Sequence, residues 1–164
     1  MHNNMKLKDK NEKGFGLLEA VIGISIALII LLSIGQITVL SIKASEEKTQ
    51  RIKALNLAKE GIEIVRVIRD DGWTSNIASL SFGTSYYIAT SSNQWILTQV
   101  NPGLIEGKFT RTIVVDNVSR DSNDDIVISG GVNDAGTKKV TSSVAWGGSK
   151  NIQLVTYITN ILDD

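Results

Sequence analysis

The dominant feature of the hydrophobic pattern is an uncharged, mostly apolar run at residues 20–42. An α-helix rises about 1.5 Å per residue, so this run would extend roughly 34 Å, which exceeds the roughly 30 Å hydrocarbon core of a bilayer. Lysines outnumber acidic residues before the run, whereas charges of both signs follow it. This asymmetry predicts an N-terminus in the cytoplasm and a remainder outside it. The pattern therefore predicts one membrane crossing, with residues 15–42 as the transmembrane half of a helix.

A cleaved secretory signal peptide is the main alternative for such a run. The apolar core of a signal peptide usually has about 7–15 residues and ends at a small-x-small cleavage site. Here the apolar run is longer, and Ile42 and Lys43 stand where small residues would be needed. The pattern therefore favours a retained membrane anchor.

The helical pattern continues beyond the apolar run, through residues 43–71. No proline interrupts this segment, and most of its residues are good helix formers. Its apolar positions recur at spacings of three and four, which predicts one buried face: Ile52, Leu55, Ala58, Ile62 and Val65. Gly72 supplies a helix stop signal. We therefore predict a single helix over residues 15–71, whose second half packs on a domain, with Gly61 at a close packing contact.

From residue 72 onward the pattern becomes that of β-strands. Val140, Val144 and Trp146 alternate with polar or small residues, which is typical of a sheet with one buried face. Glycine-containing turns separate the predicted strands, which cover residues 86–90, 95–100, 109–115, 125–129, 139–146 and 152–158. No helical segment is long enough for parallel crossovers. We therefore predict an α+β fold, in which the amphipathic half of the long helix lies across an antiparallel sheet formed by residues 72–164.

Composition and charge narrow the range of functions. The chain has no cysteine, and its single histidine is His2, so disulfides, thiolate metal sites and most imidazole chemistry are excluded from the predicted domain. No nucleophile motif is present, and we predict neither enzymatic activity nor a cofactor. Acidic residues outnumber basic ones in residues 72–164, which disfavours DNA binding. Lys138 and Lys139 leave only a local DNA contact open.

One short motif has the beginning of a calcium-binding loop. Asp121, Asn123 and Asp125 have the D-x-N-x-D spacing that such loops require. The glycine expected next is Ile126, and the final ligand position holds Val132 instead of glutamate. The segment is therefore a weak metal candidate, and its sequence favours a solvated turn.

The junction between the basic leader and the apolar run carries the most specific motif. Gly14 and Phe15 are followed by Glu19, a carboxylate just inside the run. Together with the long helix, these residues resemble the N-terminus of type IV pilin-like proteins, the pilins and pseudopilins of secretion and DNA-uptake machines. The resemblance covers the first third of the chain closely. It implies that a prepilin peptidase removes residues 1–14 by cleaving between Gly14 and Phe15, and that Phe15 is then N-methylated.

The resemblance also implies an assembly role for Phe15 and Glu19. A carboxylate at membrane depth costs roughly 2.5–3.5 kcal/mol, so it needs a partner. Cleavage would create one, because the new amine of Phe15 is mostly protonated at neutral pH. The amine of an incoming subunit would pair with Glu19 of its neighbour, in lipid where screening is weak. A plain signal anchor with a snorkelling glutamate is the alternative.

Two departures from major pilins refine the expected function. Residues 34–36 lack the helix-bending proline of many major pilins, and the chain has no cysteine for a C-terminal disulfide. Both departures favour a minor pilin or pseudopilin. The resemblance thus implies a structural subunit of a type IV pilus or related filament, with other subunits, an inner-membrane assembly platform and membrane lipid as partners. The alternative is a membrane-anchored extracytoplasmic binding module that does not polymerise.

Overall fold

The structure, a computed structural model, describes residues 12–161 of the chain, with side chains from residue 16 onward. The chain forms two compact units, Met1–Lys48 and Thr49–Asp164. A long helix, α1 (Glu12–Asp70), begins in the first unit and ends in the second. The predicted combination of one long helix and a sheet is confirmed.

In the first unit, the described part of α1 is covered by nothing from the chain itself. Every described side chain from residue 16 to residue 48 is exposed. The helix is long and apolar enough to cross a membrane. The hydroxyls of Ser25, Ser33 and Thr38 donate hydrogen bonds to carbonyls one turn earlier, at 2.7, 2.7 and 2.9 Å. Because the helix itself satisfies these hydroxyls, they do not require water.

In the second unit, all strand pairs are antiparallel. A short π-helix, Thr74–Ala78, follows α1. The strands are β1 (Ser85–Ser91), β2 (Gln94–Thr98), β3 (Thr110–Arg120), β4 (Ile126–Val127), β5 (Val132–Trp146) and β6 (Lys150–Thr159). Their order in the sheet is β2-β1-β3-β5-β6, and β4 pairs with the end of β3. Neighbours in sequence are mostly neighbours in the sheet, as in a meander.

The central strands β3 and β5 are longer than predicted. The sequence predicts strands at residues 109–115 and 139–146, whereas β3 continues to Arg120 and β5 starts at Val132. The added segments are polar, and they become strands because they pair with each other, as Val118 does with Asp134. The register shifts between Asn117 and Val118, which marks an irregularity in the ladder. Backbone pairing, not apolar alternation, therefore forms this end of the sheet.

The buried face of α1 in the second unit packs against the sheet. Ala54 and Ala58 form one cluster with Phe109, Val144 and Trp146. A second cluster lies further along the helix and joins the helix to β1, β3, β5 and β6; its members include Val65, Ile68, Ile88, Ile113, Val115, Val140 and Ile158. The predicted helix face is confirmed in its centre, whereas Ile52, at its beginning, is half exposed.

Gly61 lies where α1 approaches the sheet closely. A Cβ atom at this position would be 2.7 Å from Ser142 Oγ, 3.0 Å from Arg111 Cδ and 3.3 Å from Ile113 Cδ1. The predicted close packing contact is therefore confirmed. Arg111 also crosses this interface, since its Nη1 donates a hydrogen bond to the carbonyl of Leu57 at 3.1 Å. The same guanidinium lies 3.3 Å from Glu60.

The close approach at Gly61 predicts a large effect of a single substitution. Residues 45–164 contain the whole second unit, so we expect them to form a soluble fragment that unfolds cooperatively. In this fragment, Gly61→Val should lower the free energy of unfolding by about 1–3 kcal/mol, because the added atoms would overpack the interface with Ser142 and Ile113. Chemical denaturation followed by tryptophan fluorescence measures the change.

The matched control for this variant is Lys59→Val, which places the same side chain on the exposed side of α1. Its effect should stay within about 0.5 kcal/mol. Equal destabilisation by the two variants would contradict the proposed packing. So would an unchanged cooperative transition in a fragment that lacks residues 45–71.

Candidate functional site

The predicted processing residues lie at the N-terminal end of the described part of α1. This part already includes Glu12, before the predicted start at residue 15, so the backbone of Gly14 and Phe15 is helical. Glu12 and Lys13 are good helix formers, and one glycine costs only about 1 kcal/mol in a helix.

Glu19 lies one helical turn after Phe15, so the two residues share a face of α1. It is the only charged residue between residues 16 and 42. The side chain of Glu19 is exposed, and it has no hydrogen-bond or ion-pair partner among the described side chains. The structure thus places a lone carboxylate on an apolar helix surface, as predicted, and its own described residues do not neutralise it.

Small residues surround this carboxylate on the helix surface. Gly16, Ala20, Gly23 and Ala27 recur at spacings of three and four, on the side that also carries Glu19. A Cβ atom at Gly16 or Gly23 would meet nothing within 4 Å. Packing within the chain therefore does not require glycine at these two positions. Small residues do allow a second helix to approach closely in lipid.

The weak metal candidate forms a hydrogen-bonded turn between β3 and β4. Asp121 Oδ1 accepts hydrogen bonds from the backbone N–H groups of Asn123 and Asp125, at 2.9 and 3.0 Å. Asp124 has a φ of 68°, in the left-handed region. Within residues 12–161, no three acidic or histidine side chains converge on a point where they could hold a metal ion. The carboxylate of Asp121 thus caps the turn.

Arg120 supplies the positive charge at this end of the sheet. Its Nε donates to Asp134 Oδ2 at 2.7 Å, and its Nη1 donates to the backbone carbonyl of Asp124 at 2.7 Å. Its Nη2 lies 3.3 Å from Thr137 Oγ1. The hydrogen bond between Arg120 and Asp134 raises the pKa of the guanidinium and lowers the pKa of the carboxyl. The sequence did not reveal this pair, because β3 and β5 bring together residues that no local motif connects.

The local DNA contact predicted for Lys138 and Lys139 is not supported by their positions. Both residues lie in β5 and not in a loop, so their side chains point to opposite faces of the sheet. Lys138 is only 4% exposed, and its Nζ donates to Asn117 Oδ1 at 2.8 Å. Lys139 Nζ lies 3.1 Å from Asp116 Oδ2. The two lysines therefore do not form a shared basic surface.

Comparisons of the chain with protein-family models, with curated proteins and with solved structures give no match. The resemblance to type IV pilin-like proteins therefore rests on the chain's own residues: Gly14, Phe15, Glu19 and the long helix that follows them.

The pair formed by Arg120 and Asp134 predicts a pH dependence of stability. Because the folded-state pKa of Asp134 is lowered, its contribution to stability is complete above the pKa of the unfolded chain and is lost as the pH falls through the folded-state pKa. We expect Asp134→Asn to lower the melting temperature of residues 45–164 by several degrees near neutral pH. The difference from wild type should disappear in strong acid, as calorimetry at a series of pH values would measure.

Asp124→Asn is the matched control for this prediction. The Asp124 side chain is 86% exposed and its Oδ1 lies 3.6 Å from Arg120 Nε, so this ion pair should contribute little. If the two variants show the same pH profile, the part-buried hydrogen bond between Asp134 and Arg120 has no special role.

Proposed function

We propose that the chain is a structural subunit, a minor pilin or pseudopilin, of a type IV pilus or a related secretion or DNA-uptake filament. The observation that carries this proposal is Glu19. It is a lone carboxylate on the exposed apolar surface of α1, one turn after a Gly14–Phe15 junction that follows a basic leader. In a plain membrane anchor, such a charge would only raise the free energy of insertion into the membrane.

Leader removal would give Glu19 its partner. A prepilin peptidase would cleave after Gly14 and leave a charged amine on Phe15, which is then N-methylated. Side chains on a helix lean towards its N-terminus, so the carboxylate of Glu19 lies near the level of the preceding turn. An incoming subunit that presents its amine at this level could pair with Glu19. The charge pair would then fix the axial register between neighbouring subunits.

The apolar surface of α1 supports the same role. Its large side chains are more than half exposed, Leu17 and Leu32 among them. Lipid and a neighbouring helix cover such side chains about equally well, so the hydrophobic effect gives little preference for assembly within a membrane. Packing of small residues and pairing of charges must supply the preference. Gly16, Gly23 and Glu19 provide both on one side of the helix.

The proposed role is structural and not enzymatic. Its partners are the prepilin peptidase, other pilin or pseudopilin subunits, an assembly platform in the inner membrane, and lipid. The chain would be a single-pass protein of the cytoplasmic membrane, with its N-terminus inside, before it enters an extracytoplasmic filament.

The alternative is a membrane-anchored binding module that does not polymerise. A surface groove beside the π-helix favours it, because the half-exposed Trp95 lies there with Ser75, Asn76 and Ser79. An aromatic surface with adjacent polar groups is a common arrangement in ligand sites. The alternative requires neither cleavage after Gly14 nor a role for Glu19, so the two experiments below separate the proposals.

The first experiment tests processing. Gly14→Val should prevent cleavage, because valine would crowd a position in the peptidase site that needs a small residue. The variant should still insert, since the apolar run is unchanged. Mass spectrometry of the chain from cells that contain the peptidase should find N-methylated Phe15 at the N-terminus of wild type but not of Gly14→Val. Gly23→Val is the matched control, with the same substitution at a position distant from the junction, and should be processed normally.

An uncut wild-type chain in such cells would overturn the proposal and would leave the anchored binding module as the better description. Normal cleavage of Gly14→Val would show that the processing site is elsewhere.

The second experiment tests the pairing role of Glu19. Glu19→Val should insert and be processed as well as wild type, because it removes a costly carboxylate and leaves the junction intact. Assembly should fail, because the amine of an incoming Phe15 would have no counter-charge. Leaving one partner of a buried ion pair unmatched typically costs about 3–5 kcal/mol. Glu19→Asp, which keeps the charge at shorter reach, should be intermediate.

The measurement is the ratio of processed subunit in sheared filaments to processed subunit in membranes, with each variant as the only copy. Gln36→Leu is the control, because it removes another polar side chain of the apolar run without removing a charge. Wild-type amounts of Glu19→Val in filaments would exclude the pairing role.

A further inference from the structure

A lysine and an asparagine face each other across the two central strands. Asn117 in β3 and Lys138 in β5 are directly paired in the ladder. The Nζ of Lys138 lies 2.8 Å from Oδ1 of Asn117. Because Oδ1 is bonded to Cγ at about 1.2 Å, this contact places the amine within about 4 Å of the amide carbon. That separation is close to the roughly 3–3.5 Å at which reacting atoms are poised for attack.

The surroundings of the amine differ from those of a surface lysine. Lys138 is buried, and its Nζ lies 4.5 Å from the centre of the Phe82 ring. The loop that carries Phe82 is attached to β3 through the N–H of Gly83, which donates to the carbonyl of Val115. Burial lowers the pKa of Lys138, and the charge of Asp134 opposes this effect only in part. A larger fraction of this amine is therefore neutral, and so nucleophilic, than in an exposed lysine.

We propose that Lys138 and Asn117 form an intramolecular isopeptide cross-link between β5 and β3. This modification would be independent of whether the chain assembles into a filament, so it goes beyond the proposed function.

The reaction balances without an oxidant, a reductant or a further reagent. The neutral Nζ of Lys138 attacks Cγ of Asn117, and a new C–N bond forms. The bond between Cγ and Nδ2 then breaks, and the leaving nitrogen takes up the proton that Nζ releases. The products are a secondary amide and one molecule of ammonia. Asn117 is exposed on its outer side, so ammonia has a direct route to solvent.

The neighbouring pair shows which features the reaction requires. Lys139 Nζ lies 3.1 Å from Asp116 Oδ2, a distance comparable to that of the first pair. Here, however, the amine side chain is 39% exposed and its partner is a carboxylate. A solvated ammonium ion is not a nucleophile, and a carboxylate resists attack. We therefore expect a cross-link at Lys138 and none at Lys139.

The position of the cross-link indicates that it would stabilise the sheet. The pair of Asn117 with Lys138 is the last before the register shift, after which Val118 pairs with Asp134. A register irregularity interrupts the ladder and weakens it locally. A covalent bond there would join the two longest strands at this weak point. It would also close a loop between residues 117 and 138, which restricts the unfolded chain as a disulfide does.

Peptide mapping of the wild-type chain tests the proposal directly. The full chain is purified from membranes in detergent, held folded at mildly alkaline pH and digested with trypsin. Without a cross-link, trypsin releases residues 112–120 and residues 121–138 as separate peptides. With it, trypsin no longer cleaves after Lys138, and residues 112–120 appear joined to residues 121–139. The mass of the joined species should be lower than the sum of residues 112–120 and residues 121–139 by one ammonia.

Lys138→Arg is the matched control, because it keeps a cation next to Asn117 but offers a guanidinium that stays protonated and does not attack. It should release residues 112–120 unmodified and should melt at a lower temperature than wild type. The wild-type map decides the question even if this variant does not fold. Three results overturn the proposal: free residues 112–120 of unchanged mass, conversion of Asn117 to aspartate, or a link between Asp116 and Lys139 with loss of water.

Discussion

The apolar surface of α1 has to be shielded from water, and the rest of the described chain shields only part of the helix. Described side chains before Thr49 are all exposed, whereas the face that begins at Ala54 is buried against the sheet. The composition of each part follows from its surroundings. Within residues 16–42 of the uncovered part, Ser25, Ser33 and Thr38 donate hydrogen bonds to carbonyls of the helix itself, and Glu19 is the only charged residue. The covered part has small residues where the sheet is close and charged residues on its other side.

Polar contacts are concentrated at the end of the sheet where β3 finishes and β5 begins. Arg120 joins the ends of β3 and β5 through Asp134, and Lys138 reaches Asn117 under the ring of Phe82. The charges of Arg120 and Asp134 are tolerated because they pair with each other, and the polar end of Lys138 is tolerated because it has a hydrogen-bond partner, whereas an unpaired buried polar group would be costly. The same contacts explain why polar segments become strands here: pairing of the backbones is supported by pairing of the side chains.

The sequence predicts the long helix, the antiparallel sheet and the close contact at Gly61 well, because each depends on local periodicity or on a residue without a side chain. The sequence does not predict where β5 begins. Residues 132–138 have no apolar alternation, and they form a strand because their backbone pairs with β3. The sequence also leaves open a shared basic contact at Lys138 and Lys139, whereas their positions in β5 direct the two side chains to opposite faces of the sheet. The position of Glu19 could be predicted from the sequence. The group that would neutralise its charge, however, is not among the described side chains.

The contact between Gly61 and Ser142 joins two distant positions that have to fit together. The space for a side chain at residue 61 is already occupied by the Oγ of Ser142, and this hydroxyl is buried without a hydrogen-bond partner. A buried hydroxyl without a partner is costly by itself. If residue 61 acquired a methyl group during evolution, residue 142 would need to become smaller in the same lineage. A side chain at residue 61 should therefore appear, across descendants of this chain, only together with a smaller residue at position 142.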